Sequence, residues 1–365
     1  MSRVSDYAFV NAKLRARIGM MHDRSLLDEM IKAPSLTEAA AKLDGTRHAL
    51  LAEVYRSTGD LQQVELAILE EEIAAYREIE RYLPDIPSRF ISVLLEKVEG
   101  DNIKNAIRLW YSDAVRHHAI SYRSSYIYKK RIVHGIDYDK VINASSYKEM
   151  AAAFRDTPYE DVLARFSSES LASTGLFPLE IELDHTWFRH LEEGIRDLSG
   201  SDRRIAEKIY SVDVDLKNIL MIVRYSYSYH LRPEGLRHVM IPMGYIAGEA
   251  RKTGALDAED PMAILRSIVQ RHYPQISEEI ARIRRTADDL TTIDENNREI
   301  VLIEEYLSER RKKEYTRILA GNPFTIGVVL SYFFLRTTED ASIRAILSGK
   351  YYQWSEDKIR EALGL

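Results

Sequence analysis

Apolar residues along this chain recur at helical rather than alternating spacing. Leu66, Leu69, Ile73, Tyr76 and Ile79 fall on one face of a long segment whose other face is charged, the stripe of a helix laid on a core. A similar helix is expected from Ile303 to Leu319. The stretch before it is so charged that only a narrow line, including Ile280, Ile283, Leu290 and Ile300, can be buried. That pattern predicts a long exposed helix broken near 291–297. The most apolar run, FTIGVVLSYFFL at 324–335, would measure roughly 18 Å as a helix against a hydrocarbon core of about 30 Å. It predicts a buried helix with Phe324, Val328, Leu330 and Phe334 in the core, not a membrane span. No segment alternates strongly enough to predict a strand, so the expected fold class is all-α.

The pattern also repeats. Residues 28–46 and 139–157 share Asp28/Asp139, Ala33/Ala144, Ser35/Ser146, Glu38/Glu149, Ala40/Ala151, Ala41/Ala152 and Thr46/Thr157 at a constant offset of 111 without a gap. Ser35-x-x-Glu38 and Ser146-x-x-Glu149 have the spacing of a capping box, in which hydroxyl and carboxylate satisfy N–H groups at a helix start. A second signal occurs three times: a charged helix, a break, a more apolar helix, and a short Ile/Leu-Lys/Arg motif. The breaks are Pro84-Asp85-Ile86-Pro87, Ser199-Gly200-Ser201 and Gly321-Asn322-Pro323. The motifs carry Ile103-Lys104-Asn105, Leu216-Lys217-Asn218 and Ile343-Arg344, the last with Ala345 in place of Asn. Ile103, Leu216 and Ile343 are expected at equivalent buried positions, with Lys104 and Lys217 at matching places. The spacing suggests three similar helical domains, 1–118, 119–235 and 236–365.

Composition narrows the chemistry. The 365 residues hold 51 basic and 57 acidic side chains, a net charge of −6, so no global field draws polyanions and nucleic acid is not an expected main partner. The absence of cysteine removes disulfides, thiolate metal sites and a Cys nucleophile, and fits a cytoplasmic setting. The N-terminus lacks the unbroken apolar core of a secretory signal and reads as part of the mature fold. No glycine-rich phosphate loop, GxSxG elbow or HExxH pair is present, and the nearest lookalike, Ser348-Gly349-Lys350, reads as a helix stop. His185 and His190, beside Asp184 and Glu193, read better as helix-surface histidines than as metal ligands. Asp288, Asp289 and Asp294 lack the spacing and the facing acidic cluster of a magnesium diphosphate site. No catalytic residue, metal or cofactor is therefore expected. The segment 121–131 interleaves tyrosine with base, and Arg123, Lys129, Lys130 and Arg131 are its candidates for a partner face.

The repeated Lys-Asn motif, the opening YAFVNAKLRA at 7–16, and the closing TEDASIRAILSGK at 338–350 followed by WSEDKIREAL at 354–363 together resemble one family over nearly the whole chain. It is the central-stalk component of archaeal and vacuolar-type rotary ATPases, the C subunit of archaeal and bacterial complexes and the d subunit of eukaryotic ones. The resemblance implies a pseudo-threefold funnel of three helical domains, peripheral on the cytoplasmic face of a membrane. It further implies a non-catalytic coupler that joins the D and F axle subunits to the proteolipid rotor ring for ATP-coupled proton or sodium transport. Arg344-Ala345 departs from the Lys-Asn pattern. Two rival readings are a helical metal-dependent enzyme acting on phosphorylated substrates and an unrelated α-helical scaffold.

Overall fold

A computed structural model describes residues 3–21, 24–114, 126–227, 233–258, 261–276, 278, 305–306 and 309–365. Among the described residues every regular element is a helix, so the molecule is all-α. It divides into two compact units, residues 1–198 with 323–365, and 199–322. The dividing points fall at Ser199-Gly200-Ser201 and Gly321-Asn322-Pro323, two of the three breaks read from the sequence. Position 118, and the exposed helix expected over 280–300, lie outside the described residues.

The first unit contains α1 (Arg3–Gly19), α2 (Arg24–Lys32), α3 (Leu36–Ala41), α4 (Ala49–Thr58), α5 (Leu61–Glu80) and α6 (Asp85–Ala114). Shorter helices follow: α7 (Tyr138–Ile142), α8 (Tyr147–Ala152), α9 (Glu160–Leu163) and α10 (Ser168–Thr174), then the long α11 (Phe177–Asp197). The second unit holds α12 (Gly200–Tyr227), α13 (Pro233–Val239), α14 (Gly244–Lys252) and α15 (Pro261–His272), with residues 309–320 also helical. The chain then returns to the first unit as α16 (Gly327–Tyr351) and α17 (Glu356–Ala362).

Local chemistry sets these boundaries. Asp60 caps α5 by accepting from the Gln62 N–H at 2.9 Å. Gly59, at φ +65, ends α4 in the left-handed conformation that a side chain would resist. Pro87 is tolerated in the first turn of α6, where its missing N–H is not needed. On α5, Ile73, Tyr76 and Ile79 are buried as the stripe predicts, joined by Val64 and Ile68. Leu66 and Leu69 are only half-buried because they border a cleft. In α16, Val328 and Leu330 are buried and Phe334 is half-buried, while Phe324, also half-buried, precedes the helix, which begins only at Gly327; Val329 and Phe333 take the inner positions, and Phe333 stacks on Tyr76 at 3.8 Å. Among the described residues no helix is long and apolar enough to cross a membrane.

Among the described residues, two apolar clusters of the first unit hold short helices on long ones. One gathers Leu26, Met30, Ile31, Leu43, Leu51 and Ile68 around Ile343, Ile346, Leu347 and Ile359. The other gathers Val141, Met150, Phe154, Val162 and Leu163 around Ile103, Ala106, Ile107 and Trp110. Each short-helix group thus packs on the second half of a long helix, α16 or α6. The offset of 111 governs more than identity: Gly45 and Asp156 both take left-handed φ, +73 and +62. Thr46 donates to Leu43 O and accepts from His48 N–H, just as Thr157 donates to Phe154 O and accepts from Tyr159 N–H. Ser35 and Ser146 cap α3 and α8 through the N–H groups of Glu38 and Glu149. The return half of the expected box is absent at Ser146, because Glu149 accepts instead from Ser145 N–H and hydroxyl, at 2.9 and 2.7 Å.

Candidate functional site

Each unit holds a fully buried carboxylate that ties the long helix to the segments packed on it. Glu99 of α6 accepts from the backbone N–H groups of Val133 and His134 at 2.7 and 2.8 Å, and from the Tyr159 hydroxyl at 3.3 Å. Asp215 of α12 accepts from the Ile246 N–H at 2.8 Å and the Tyr273 hydroxyl at 2.7 Å. Burial, reinforced by the adjacent acids, raises the Tyr159 and Tyr273 hydroxyls and keeps them protonated donors. Three residues beyond each acid stands a buried asparagine. Asn102 donates to Tyr128 O at 2.9 Å and accepts from Tyr128 N–H at 3.2 Å; Asn218 does the same to Ile241 at 3.0 and 2.8 Å. A carboxamide suits this task because it both donates and accepts, matching the two polar groups of one backbone residue.

The recurring motif is therefore acid-x-x-Asn, at Glu99/Asn102 and Asp215/Asn218. It sets Asn218 against Asn102, three residues earlier than the Lys-Asn alignment would. Asn105 is exposed, whereas Asn218 is buried. Ile103, Leu216 and Ile343 are all buried, but in this register Ile219 rather than Leu216 stands opposite Ile103, and Leu220 rather than Lys217 opposite Lys104, so the expected equivalence of those positions does not hold. Lys104 pairs with Asp101 at 2.9 Å and Asp184 at 2.8 Å. Burial alone would lower its pKa, but the two carboxylates hold it above the ordinary lysine value. Lys217 is half-buried; near it, burial raises the Asp213 carboxyl, with Arg311 and then Lys217 pulling the other way. The third counterpart of the buried acids is Glu339 of α16, which accepts from Arg47 Nε at 2.9 Å and lies 3.6 Å from His48 Nε2. Sequence patterning does not single out Glu99, Asp215 or Glu339. The signal for the first two is their shared acid-x-x-Asn spacing, which the neighbouring Lys-Asn pairs obscure.

The basic segment is already engaged within its own unit. Lys129 pairs with Asp139, Lys130 pairs with Glu70 at 3.2 Å, and Arg131 Nε donates to Val133 O at 2.8 Å. Arg77 in turn donates to the carbonyls of Arg131 and Ile132. Arg123 lies outside the described residues, as do Asp288, Asp289 and Asp294. His190 bonds Glu96 at 2.6 Å, and among the described residues no group of His, Asp and Glu is arranged to hold a metal.

A cleft of about 740 Å³ lies in the first unit, walled by α5, α6 and α16. Acids and bases share its lining: Glu65, Glu72, Asp101 and Asp340 with Lys97, Arg108 and Arg344. Burial raises the Glu65 and Glu72 carboxyls, with Arg344 pulling the other way. Burial also acts to raise Asp101, but Lys97 and Lys104 outweigh it and hold that carboxyl low. Arg108 is fixed by a two-point contact with Glu180 at 2.7 and 2.9 Å. Such a surface offers charges of both signs to a partner; it does not assemble a nucleophile with a base.

A family model for the ATP synthase (C/AC39) subunit matches residues 10–362. The chain belongs to that family. Among curated relatives, the A-type ATP synthase C subunit of Methanocaldococcus jannaschii is 22% identical over 365 residues, covering 99% of this chain and 86% of the relative. The protein of that name from Pyrococcus horikoshii is 21% identical over 368 residues, covering 99% and 91%. That from Methanosphaera stadtmanae is 21% identical over 344 residues, covering 94% and 84%. The match to this ATP synthase family runs through both compact units and both acid-x-x-Asn motifs.

Proposed function

We propose that this chain is the non-catalytic central-stalk coupler of an A/V-type rotary ATP synthase, seated between the D and F axle subunits and the proteolipid ring. The observation that carries the reading is the family match over residues 10–362, with relatives named as the C subunit of A-type ATP synthases aligned over nearly the whole chain. In this reading the chain lies on the cytoplasmic face of a membrane through its hold on the ring and contributes no catalytic residue. Related repeats then supply the frame, and in two of them a buried acid, Glu99 or Asp215, pins a short-helix group to a long helix.

The cleft walled by α5, α6 and α16 is the surface we assign to the axle. Its mixed charges suit a wet, electrostatically matched contact better than a dry apolar one. Ala341 and Asn105 are exposed on its walls, so enlarging either fills the cleft without entering the core. Ala341→Trp and Asn105→Trp are expected to keep the fold, seen as unchanged circular dichroism, and to weaken capture of a purified D–F pair by tenfold or more. Capture at unchanged affinity by both variants removes the cleft from the axle contact. The basic segment is tested separately, by neutralising Arg123, Lys129, Lys130 and Arg131 together. If that segment forms a partner face, assembly weakens and its salt dependence changes; if neither moves, these cations serve only the internal pairs described above.

A further inference from the structure

The joint made by Glu339 differs from its two counterparts in chemistry and in connectivity. Tyr159 follows Glu99 by 60 residues and Tyr273 follows Asp215 by 58, so each tyrosine stays near its acid along the chain. Arg47 and Glu339 are 292 residues apart. Contacts between α2–α4 and the pair α16–α17 therefore have to be made without a short covalent tether. They include the apolar cluster around Ile343, Ile346, Leu347 and Ile359, the Arg360–Asp28 pair at 2.7 Å, a bond from Lys350 to Ile31 O, and the contacts of Arg47 with Glu339 and Asp340.

At the position where the offset of 111 places Tyr159, this joint has His48. The ring is fully buried and follows the same threonine turn, yet neither nitrogen has a hydrogen-bond partner. Glu339 and Asp340 lie 3.6 and 3.9 Å away, beyond bonding reach. A buried polar ring left unpaired weakens whatever holds it in place. Asp340 and Arg336 lie in the same buried group, 3.5 Å apart, and Asp340 Oδ1 is also without a hydrogen bond. In the other two joints the tyrosine itself donates to the acid, whereas here Arg47 supplies the donor to Glu339 and the ring at the tyrosine's place donates nothing.

We propose that the Arg47/His48–Glu339/Asp340 joint is a releasable clasp. Helices α2–α4 undock from α16–α17 as one cooperative piece, well before the α7–α9 group leaves α6. Opening bares the face of α16 that carries Ile343, Ile346 and Leu347. Asp340 belongs both to the clasp and to the cleft wall, so an occupant of the cleft shares a side chain with the device that opens. The undocking itself depends only on contacts within the first unit and stands apart from the assignment of the axle to the cleft.

Native-state hydrogen exchange on the intact chain tests this. Slowly exchanging amides of 26–58 are expected to be at least tenfold less protected than those of 138–163, and to exchange as a group. His48→Tyr, which restores the donor of the other joints, is expected to recover most of that protection; His48→Phe, of similar size without the hydroxyl, is expected not to. Equal protection of the two segments in the wild-type chain overturns the proposal irrespective of any variant. Equal recovery by Tyr and Phe also overturns it, because apolar packing rather than the missing donor would then limit the joint.

Discussion

Asn102 and Asn105 sit one turn apart on α6, and only one of them is expected to matter for stability. Asn102 is 3% exposed and holds both polar groups of Tyr128, a residue whose side chain is itself buried. Asn102→Ala strands one N–H and one C=O, each at about 1–3 kcal/mol when buried, so a loss of roughly 2–4 kcal/mol is expected after some relaxation. Asn105→Ala removes an exposed side chain that bonds Arg108, itself held by Glu180, and is expected to change stability by no more than about 0.5 kcal/mol. The assay is urea unfolding read by tryptophan fluorescence. Trp110, Trp187 and Trp354 all lie in the first unit, so the signal reports that unit alone. A comparable loss in both variants, or a loss below about 0.5 kcal/mol for Asn102→Ala, would refute the assignment of Asn102 as the clamp.

Three further outcomes follow from the same contacts. Gly244 has φ +87, and a Cβ there would collide with the Asp215 carboxylate, so Gly244→Ala is expected to destabilise the second unit by roughly 2 kcal/mol or more, measured by circular dichroism during thermal unfolding. The folded pKa of Asp101 lies below its unfolded value; its contribution is present above the ordinary carboxylate range and is lost as pH falls through the folded value. Asp101→Asn should therefore be less stable than wild type near neutral pH, with the difference shrinking on acidification; a difference that stays constant would contradict the pairing with Lys97 and Lys104. Titration calorimetry with ATP is expected to show no micromolar binding to the isolated chain, and a measurable isotherm would overturn the non-catalytic reading.

The helical class, the two breaks that bound the second unit, and the serine caps were legible from the sequence because each rests on local chemistry: periodicity, Gly and Pro, and a hydroxyl one turn from an N–H. The repeat at offset 111 was legible for the same reason, since Thr46 and Thr157 each make a turn within three residues of themselves. The register between Asn102 and Asn218 was not. Lys104-Asn105 and Lys217-Asn218 look alike in sequence, and only the backbone groups that each asparagine reaches, at Tyr128 and Ile241, separate them. The packing of α2–α4 on α16 was equally hidden, because Arg47 and Glu339 meet across nearly the whole chain and no local pattern records that contact. The internal pairs of the basic segment were hidden for a related reason: Glu70 and Asp139, which pair with Lys130 and Lys129, are invisible as partners until the chain is folded.

The central claim is that this chain joins two bodies that do not otherwise hold each other. The direct measurement is co-purification from separately prepared parts: a tagged D–F axle, a detergent-solubilised proteolipid ring, and this chain added or withheld. The account predicts that the ring is retained on the tagged axle only when the chain is present, with all components in one complex on size exclusion. Retention of the ring without the chain, or binding of the chain to neither body, would contradict it.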